Sequence, residues 1–291
     1  MKEIVILSGK GGTGKTSLTA SFAALAENAV LADCDVDAAD LHLVLNPEIN
    51  QKHDFISGNE AIIRSQDCSG CDLCREYCRF GAIIYDPESG EYLVDPAACE
   101  GCAVCVNFCP EGCIDFPERL CGEWYSSTTR FGPMVHARLA IAAENSGKLV
   151  SMVRREARKV AQNCGAKLLL VDGPPGIGCP VIASITGADH LLIVTEPTQS
   201  GKHDIERVLM LANHFGIDTS VCVNRWDINE QVSKEIEELA EVFGARILGR
   251  IAYDRAVTKA QIAGRSVVEL GESPAAVDIC NIWKQLQETI A

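Results

Sequence analysis

A glycine-rich stretch near the amino terminus carries the first residues suited to chemistry. The segment Gly9-x4-Gly14-Lys15-Thr16 follows an apolar run, residues 4–7, and precedes residues 18–25, which are typical of a helix. Glycines between a strand and a helix let successive backbone N–H groups point inward, and the helix N-terminus adds partial positive charge. The pattern predicts a P-loop in which Lys15 reaches the β- and γ-phosphates and Thr16 places its hydroxyl on Mg²⁺. The predicted cofactor-binding residues of this loop are Gly11, Gly12, Thr13, Gly14, Lys15, Thr16 and Ser17.

Cysteine spacing supplies a second kind of chemistry. The chain has 15 cysteines, and most of them lie between Cys68 and Cys121. Such density without a secretory context indicates metal binding rather than disulfides. Two groups of four share the spacing Cys-x2-Cys-x2-Cys-x3-Cys, which wraps a short loop around one metal cluster. The groups are Cys68, Cys71, Cys74 and Cys78, then Cys99, Cys102, Cys105 and Cys109.

Two metals compete for these thiols. Zinc binds Cys-x2-Cys pairs in tetrahedral sites, but the repeated x3 gap favours iron–sulfur clusters. Residues 60–118 as a whole resemble a bacterial two-cluster ferredoxin, apart from Arg79 where that family has proline. The resemblance implies two 4Fe–4S clusters, in which the fourth cysteine of each run ligates the other cluster. One ligand set is then Cys68, Cys71, Cys74 and Cys109, and the other is Cys99, Cys102, Cys105 and Cys78.

Acidic residues stand where two predicted strands end. The strand 29–32 is followed by Asp33, Asp35 and Asp40, and the strand 167–172 ends in Asp172. Acids at the carboxyl ends of parallel strands face the crevice where open sheets bind ligands. This placement predicts that the acids lie beside the P-loop.

The loop itself resembles a known family. The stretch Lys10-Gly11-Gly12-Thr13-Gly14-Lys15-Thr16 is similar to the deviant Walker A loop of the MinD, ParA, Mrp and nitrogenase-iron-protein superfamily. The resemblance implies an ATP-dependent homodimer, in which Lys10 reaches the partner's nucleotide. It further implies that Asp172 holds the water shell of Mg²⁺ and that Asp35 orients or activates the attacking water, with Asp33 and Asp40 as alternatives to Asp35. Gly176 would then donate its N–H toward the γ-phosphate, and Asn224 would contact adenine.

Seven cysteines stand outside the two runs, and three of them carry a specific prediction. Cys179 follows Asp172 at the spacing of a nitrogenase-iron-protein cysteine that holds a cluster bridging the dimer, with Cys121 as its best available co-ligand. The preferred interpretation of Cys179 is nevertheless a buried structural thiol, because free cysteine is among the most buried residue types. Cys113 and Cys121 are predicted to be packed thiols.

Composition excludes several classes of partner. A net charge of −14 argues against nucleic acid, which needs clustered Lys and Arg. No apolar run approaches the roughly 18 residues that span a bilayer, so we expect no membrane anchor. The first strand begins by residue 3, which leaves no room for a signal peptide. The expected localisation is cytoplasmic.

Alternating apolar strands and helices from residue 167 onward predict an α/β fold, a doubly wound and mostly parallel sheet. The predicted domains are 1–59 and 119–291 for the P-loop ATPase and 60–118 for an inserted small α+β ferredoxin domain. The polar stretch 46–59 is interpreted as an exit from the first segment. Apolar spacing at Met134, Ala137, Arg138, Ile141 and Ala142 predicts a helix from about residue 133.

Three functions fit these features. The preferred hypothesis is an ATPase whose nucleotide state gates electron transfer through the clusters to a redox partner protein. The first alternative is an iron–sulfur assembly or carrier ATPase like Mrp, with a cluster-accepting partner. The second alternative is a positioning or interaction ATPase like MinD, in which the clusters are structural.

Overall fold

The computed structural model describes residues 1–140 and 146–290. The chain divides into two compact units, each described here by itself. The first is built from Met1–His53, Trp124–Arg138 and the chain from Ser146 onward, and the second contains Asp54–Glu123. The segment predicted as a ferredoxin domain, 60–118, lies inside the second unit.

The described residues form strands and helices throughout both units. The strands are β1 Lys2–Ser8, β2 Ala29–Asp33, β3 Glu48–Asn59, β4 Ile62–Ile63, β5 Ile83–Asp86, β6 Glu91–Val94, β7 Ile114–Asp115, β8 Glu118–Thr129, β9 Gly132–Leu139, β10 Leu168–Pro175, β11 His190–Thr195, β12 Thr219–Asn224 and β13 Arg246–Ile251. The α-helices are α1 Lys15–Leu25, α2 Leu41–Leu45, α3 Leu73–Glu76, α4 Val104–Phe108, α5 Ser146–Cys164, α6 Cys179–Ile185, α7 Gln199–Phe215, α8 Glu230–Val242, α9 Arg255–Ile262 and α10 Pro274–Ile290.

The main sheet has nine strands in the order β13-β12-β11-β1-β10-β2-β9-β8-β3. Neighbours from β13 through β9 pair in parallel. The central strands β1, β10 and β11 are buried almost end to end. Helices cover both faces of such a sheet, so neither face needs polar side chains and the strands are apolar at successive positions. The prediction of a P-loop-type α/β fold with a mostly parallel sheet is confirmed.

Two segments differ from the sequence prediction. Residues 132–139 form strand β9 rather than the start of a helix, and Met134 pairs with Leu31 of β2. The strand is buried on both sides at Met134–Ala137. Its apolar residues therefore do not alternate with polar ones, and their spacing resembles that of one face of a helix. The polar stretch 48–59 is strand β3 at the end of the sheet, where solvent-facing residues dominate. Ile141 and Ala142 lie outside the described residues.

The second unit contains two short antiparallel pairs, β4 with β7 and β5 with β6. Its buried core is small and includes two thiols. The core residues are Ala61, Cys74, Ile83, Tyr92, Cys113 and Ile114.

Within residues 1–140 and 146–290, we find no helix with the length and apolar character needed to cross a bilayer.

Candidate functional site

The loop between β1 and α1 requires glycine at Gly9 and Gly14, for two different reasons. Gly14 immediately precedes α1 at φ 91°, and a Cβ there would lie 2.4 Å from Nδ2 of Asn224. A Cβ on Gly9 would lie 2.4 Å from Cβ of Asp204. Both positions therefore require glycine, one for its left-handed conformation and one for the close approach of α7.

Lys15, the first residue of α1, is buried between two carboxylates. Its Nζ lies 2.9 Å from Oδ1 of Asp172 and 3.3 Å from Oδ2 of Asp35. Burial alone lowers the pKa of Lys15, but the charges of Asp172 and Asp35 outweigh it and raise the pKa above its ordinary value. Lys15 is thus a permanent cation at the floor of the loop.

Asp172 collects hydroxyl groups from the first turns of α1. Thr16 Oγ1 donates to Oδ2 of Asp172 at 2.8 Å, and Thr19 Oγ1 donates to Oδ1 at 3.0 Å. Hydroxyl and carboxylate oxygens are the hard ligands that Mg²⁺ prefers. The residues present therefore fit a magnesium ion held through Thr16 and Asp172.

Of the three acids after β2, one is fully buried and two line the cavity. Asp33 is fully buried and accepts the backbone N–H groups of Asp35 and Leu41. Burial raises the pKa of Asp33 well above its usual range and also raises the pKa of Asp35. Asp35 and Asp40 line the cavity, so Asp33 positions the loop while Asp35 can face a substrate.

Lys10 is held by its own chain in this conformation. Its Nζ donates to Oγ of Ser200 at 2.9 Å and to Oγ1 of Thr198 at 3.2 Å. Thr198 also caps α7 by accepting the N–H of Gly201. Reaching a nucleotide on another subunit would require Lys10 to leave these two hydroxyl groups.

Two predicted nucleotide contacts are engaged with the P-loop region. Gly176 donates its N–H to the carbonyl of Ser8 at 2.9 Å, and Asn224 donates from Nδ2 to the carbonyl of Thr13 at 2.8 Å. Their roles at the γ-phosphate and at adenine stay predictions. What the geometry adds is that both residues support the P-loop backbone.

These residues surround a cavity of about 440 Å³, within the size range of small-molecule sites. Thr13 Oγ1 is a buried oxygen without a hydrogen-bond partner, as expected where a phosphate oxygen would complete the site. Sequence reasoning missed the opposite side of the cavity, because an apolar helix face toward a ligand has the same pattern as one toward a core. This outer wall comprises Leu43 and Val44 of α2 and Val257, Thr258 and Gln261 of α9.

The second unit holds its cysteine runs around two separate cavities. All 15 cysteines of the chain are free thiols. The thiols at the two cavities come from both runs, in the exchanged pattern. One cavity is lined by Cys78, Cys99, Cys102 and Cys105, and the other by Cys68, Cys71, Cys74, Cys109 and Cys113.

The two runs also share an unusual backbone. Gly70 and Gly101, which precede the second cysteine of each run, have φ of 72° and 60°. Asp72 and Ala103, which follow it, have φ of 67° and 61°. A left-handed conformation costs alanine roughly 1–2 kcal/mol. The same strained turn therefore occurs at equivalent positions of both cysteine runs.

No group of three or more His, Cys, Asp or Glu side chains in the described ranges converges as the ligands of a single metal ion do. Cys113 and Cys121 are buried as predicted. Cys179 is exposed at the first residue of α6. The interpretation of Cys179 as a buried structural thiol is therefore wrong, because the first turn of this helix lies at the surface.

The fold and the P-loop site together define a P-loop ATPase of the MinD/ParA class. The profile of the CobQ/CobB/MinD/ParA nucleotide binding domain matches residues 4–267. The chain belongs to this family, whose members are ATPases, and the predicted enzyme class is confirmed.

Individual relatives agree with this assignment. An uncharacterized protein of Methanocaldococcus jannaschii is 34% identical over 230 residues, 78% of this chain and 79% of the relative. The fold is similar to the cell division ATPase MinD of Pyrococcus furiosus, with a TM-score of 0.59, 17% identity and 99% of each chain covered. It is also similar to the septum site-determining protein MinD of Pyrococcus horikoshii complexed with Mg-ADP, with a TM-score of 0.58, 18% identity, and 100% and 98% covered.

The comparisons bear unequally on the functional hypotheses. They support the MinD-like alternative better than nucleotide-gated electron transfer. The inserted ferredoxin domain, the likeness to the nitrogenase iron protein and a redox partner receive no support from them. These remain hypotheses that depend on the cysteine-rich unit itself.

Proposed function

We propose that the chain is a MinD-like interaction ATPase that binds Mg·ATP at the P-loop, dimerises in the ATP state and carries two iron–sulfur clusters in its second unit. The observation that carries the ATP site is the buried cluster of Lys15, Asp172 and Thr16 beside the unpartnered hydroxyl of Thr13. A bound triphosphate would give Lys15 and Thr13 their acceptors, and Thr16 and Asp172 would hold Mg²⁺. Mg²⁺ would neutralise charge that develops on the phosphate oxygens.

The residues of the chain then have distinct tasks. Lys15 exchanges its carboxylate partners for the β- and γ-phosphates, and the N–H groups at the start of α1 bind the same oxygens. Asp35, at the cavity with its pKa raised by burial, orients the attacking water. Lys10 leaves Thr198 and Ser200 to place its charge on the nucleotide of the partner subunit.

The ATP proposal is tested by sedimentation and turnover on the whole protein. We expect a monomer without nucleotide, a dimer with a non-hydrolysable ATP analogue, and slow Mg²⁺-dependent hydrolysis of ATP. A monomer with full turnover under every nucleotide condition would contradict the dimer, and an absence of ATP binding would contradict the site.

The cluster proposal depends on which cysteines share a cavity. The pairing of Cys78 with the second run and Cys109 with the first is the exchange that two-cluster ferredoxins use. A cubane binds each thiolate through a different iron, so its ligands do not converge on one point as zinc ligands do. Backbone N–H groups also reach sulfur, since Ala82 N lies 3.3 Å from Sγ of Cys78.

Stability gives an independent reason for clusters in the second unit. A core of six buried residues, two of them cysteines, is small for a unit of this size, and such scaffolds need disulfides or metals. No disulfide links these cysteines, so bound metal is the staple that we propose for this unit. Iron counting and EPR on anaerobically purified protein test this directly, and zinc or four irons per chain would contradict it.

Electron transfer is the second candidate function, favoured by one observation. Cys71 and Cys102, the second cysteine of each run, are exposed, and solvent exposure of this kind accompanies clusters that exchange electrons. Potentials measured with and without an ATP analogue decide between the two functions. A shift of about 30–60 mV, equivalent to several-fold in ATP affinity, would favour gating, and equal potentials favour structural clusters.

A further inference from the structure

Arg130, in the turn between β8 and β9, makes more hydrogen bonds than a surface ion pair needs. Its Nε and Nη2 each donate to Glu269 at 2.8 Å. Nη1 donates to the carbonyl of Leu45 at 2.8 Å, and Nη2 also donates to the carbonyls of Val44 and Gly264 at 3.0 and 3.3 Å. One guanidinium group therefore donates hydrogen bonds to four separate residues.

The three carbonyls share a structural position. Val44 and Leu45 are the last two residues of α2, and Gly264 lies just beyond the end of α9. Carbonyls at helix C-termini have no partner within the helix and attract cations. Arg130 thus caps the C-terminal end of α2 and at the same time holds the turn that follows α9.

These are the two helices that form the outer wall of the nucleotide cavity. Leu43 and Val44 of α2 line it from one element, and Val257 and Gln261 of α9 line it from the other. Gln261 also donates to Oγ of Ser17 in α1 at 2.7 Å, so α9 is tied at one end to the P-loop helix. Arg130 holds the same end of α9 through the carbonyl of Gly264.

We propose that Arg130 is a positioning residue for the nucleoside of ATP, one that sets the spacing between α2 and α9. The phosphates lie at the P-loop, so the apolar outer wall faces the base and ribose. Arg130 touches neither the P-loop nor the cavity. This inference rests on ATP binding at the proposed site.

Only arginine suits this position. Its planar fork offers five N–H donors in fixed directions, whereas lysine is a point charge with three. The acceptor is fixed as well, because Oε2 of Glu269 also accepts the N–H and hydroxyl of Ser266. A rigid donor on a rigid acceptor leaves the two helix ends little freedom.

The chain provides a closely matched control in Arg250. Arg250 forms a two-pronged pair with Glu237, and the side chains are 32% and 18% exposed, against 32% and 19% for Arg130 and Glu269. Each arginine also lies over an aromatic ring, Phe131 or Trp226. The carbonyls of α2 and α9 distinguish the two pairs.

The experiment measures Kd for Mg·ATP and for Mg·tripolyphosphate, the latter by competition, on the full chain. We expect Arg130→Ala to weaken ATP about tenfold, with tripolyphosphate changed less than about twofold. Arg130→Lys should weaken ATP in the same direction, and it replaces Arg130→Ala if circular dichroism shows that the alanine variant does not fold. Arg250→Ala should leave both constants unchanged.

Three results would overturn the inference. Unchanged ATP affinity in folded Arg130→Ala or Arg130→Lys removes the role. Equal weakening of ATP and tripolyphosphate assigns Arg130 to general stability rather than to the nucleoside. An equal loss of ATP affinity in Arg250→Ala would likewise show that the effect of Arg130→Ala is one of general stability. Failure of the wild-type chain to bind ATP would instead contradict the proposed function.

Discussion

The two units of this protein hold themselves together by different means. The nucleotide unit packs large side chains such as Phe22, Leu31 and Trp283 into a continuous apolar core. The cysteine-rich unit has a core of six buried residues, and cysteines account for most of the partly buried side chains around it. In the first unit the ligand site is added to a complete core, whereas in the second the proposed cluster ligands make up much of the core and of the side chains packed against it. Removing the ligand should therefore affect the two units very differently.

The largest expected difference follows loss of iron. Anaerobic chelation should unfold the second unit and expose residues 54–123 to protease, because its own core cannot offset the entropy of folding. The nucleotide unit should keep its ATP affinity. Cys71→Ser should reduce iron from eight to about four per chain, while Cys164→Ser, an equally exposed thiol outside the runs, should not change it. Unchanged proteolysis after chelation would show that the core is self-sufficient.

A single charge should matter most in the nucleotide unit. Lys15→Ala should weaken Mg·ATP at least about a hundredfold, because it removes charged hydrogen bonds to the phosphates from a buried site. Isothermal titration measures this. Lys202→Ala, which breaks a surface pair with Glu235, is the matched control and should bind ATP normally. Wild-type affinity in Lys15→Ala would show that the P-loop is not the nucleotide site.

Lys10 tests whether the nucleotide unit is complete in one chain. Lys10→Ala should bind ATP within a few-fold of wild type and hydrolyse it about a hundredfold more slowly, as when one transition-state donor is removed. Ser200→Ala removes one of the two local partners of Lys10 and leaves Thr198 in place, and this variant should hydrolyse ATP normally. Full turnover by a Lys10→Ala monomer would place the whole reaction within one subunit.

The smallest effect concerns acid stability of the nucleotide unit. His136 of β9 is 6% exposed and lies 2.9 Å from Ser127 Oγ, and its burial lowers its pKa to about 4. Between pH 6.5 and 4 the unfolded histidine takes up a proton that the folded one does not, so stability falls as pH falls. The loss between pH 6.5 and 5 should be on the order of 1.5 kcal/mol.

Urea unfolding at the two pH values measures this loss. His136→Gln should reduce the difference, and His214→Gln, at an exposed position in α7, should leave it as in wild type. A pH dependence unchanged in His136→Gln would assign the acid sensitivity to other groups.

Local sequence patterns predicted the parts of the fold that local forces determine. The strands and helices predicted to alternate from residue 167 onward do so, because each has one clear apolar face or run. Strand β9 was not predictable, since burial on both sides erases the alternation that marks a strand. Strand β3 failed for the opposite reason, because an exposed end strand carries almost no apolar pattern.

The site was predictable in its residue types and less so in its connections. The P-loop motif identified Lys15 and Thr16, and strand ends identified Asp35 and Asp172. No local signal places Asn224 on the carbonyl of Thr13, or Arg130 on the ends of α2 and α9, since these contacts join residues about 85 to 211 positions apart in sequence. Such long-range contacts come from the fold as a whole.

The buried charges beside the P-loop have a kinetic consequence. Lys15 faces both Asp35 and Asp172, so carboxylates outnumber ammonium groups at the floor of the cavity. A triphosphate arriving without metal meets this excess negative field and is slowed by it, whereas the magnesium complex brings its own compensating cation. We therefore expect the metal and the nucleotide to enter the cavity together, and free ATP to bind more slowly than the magnesium complex.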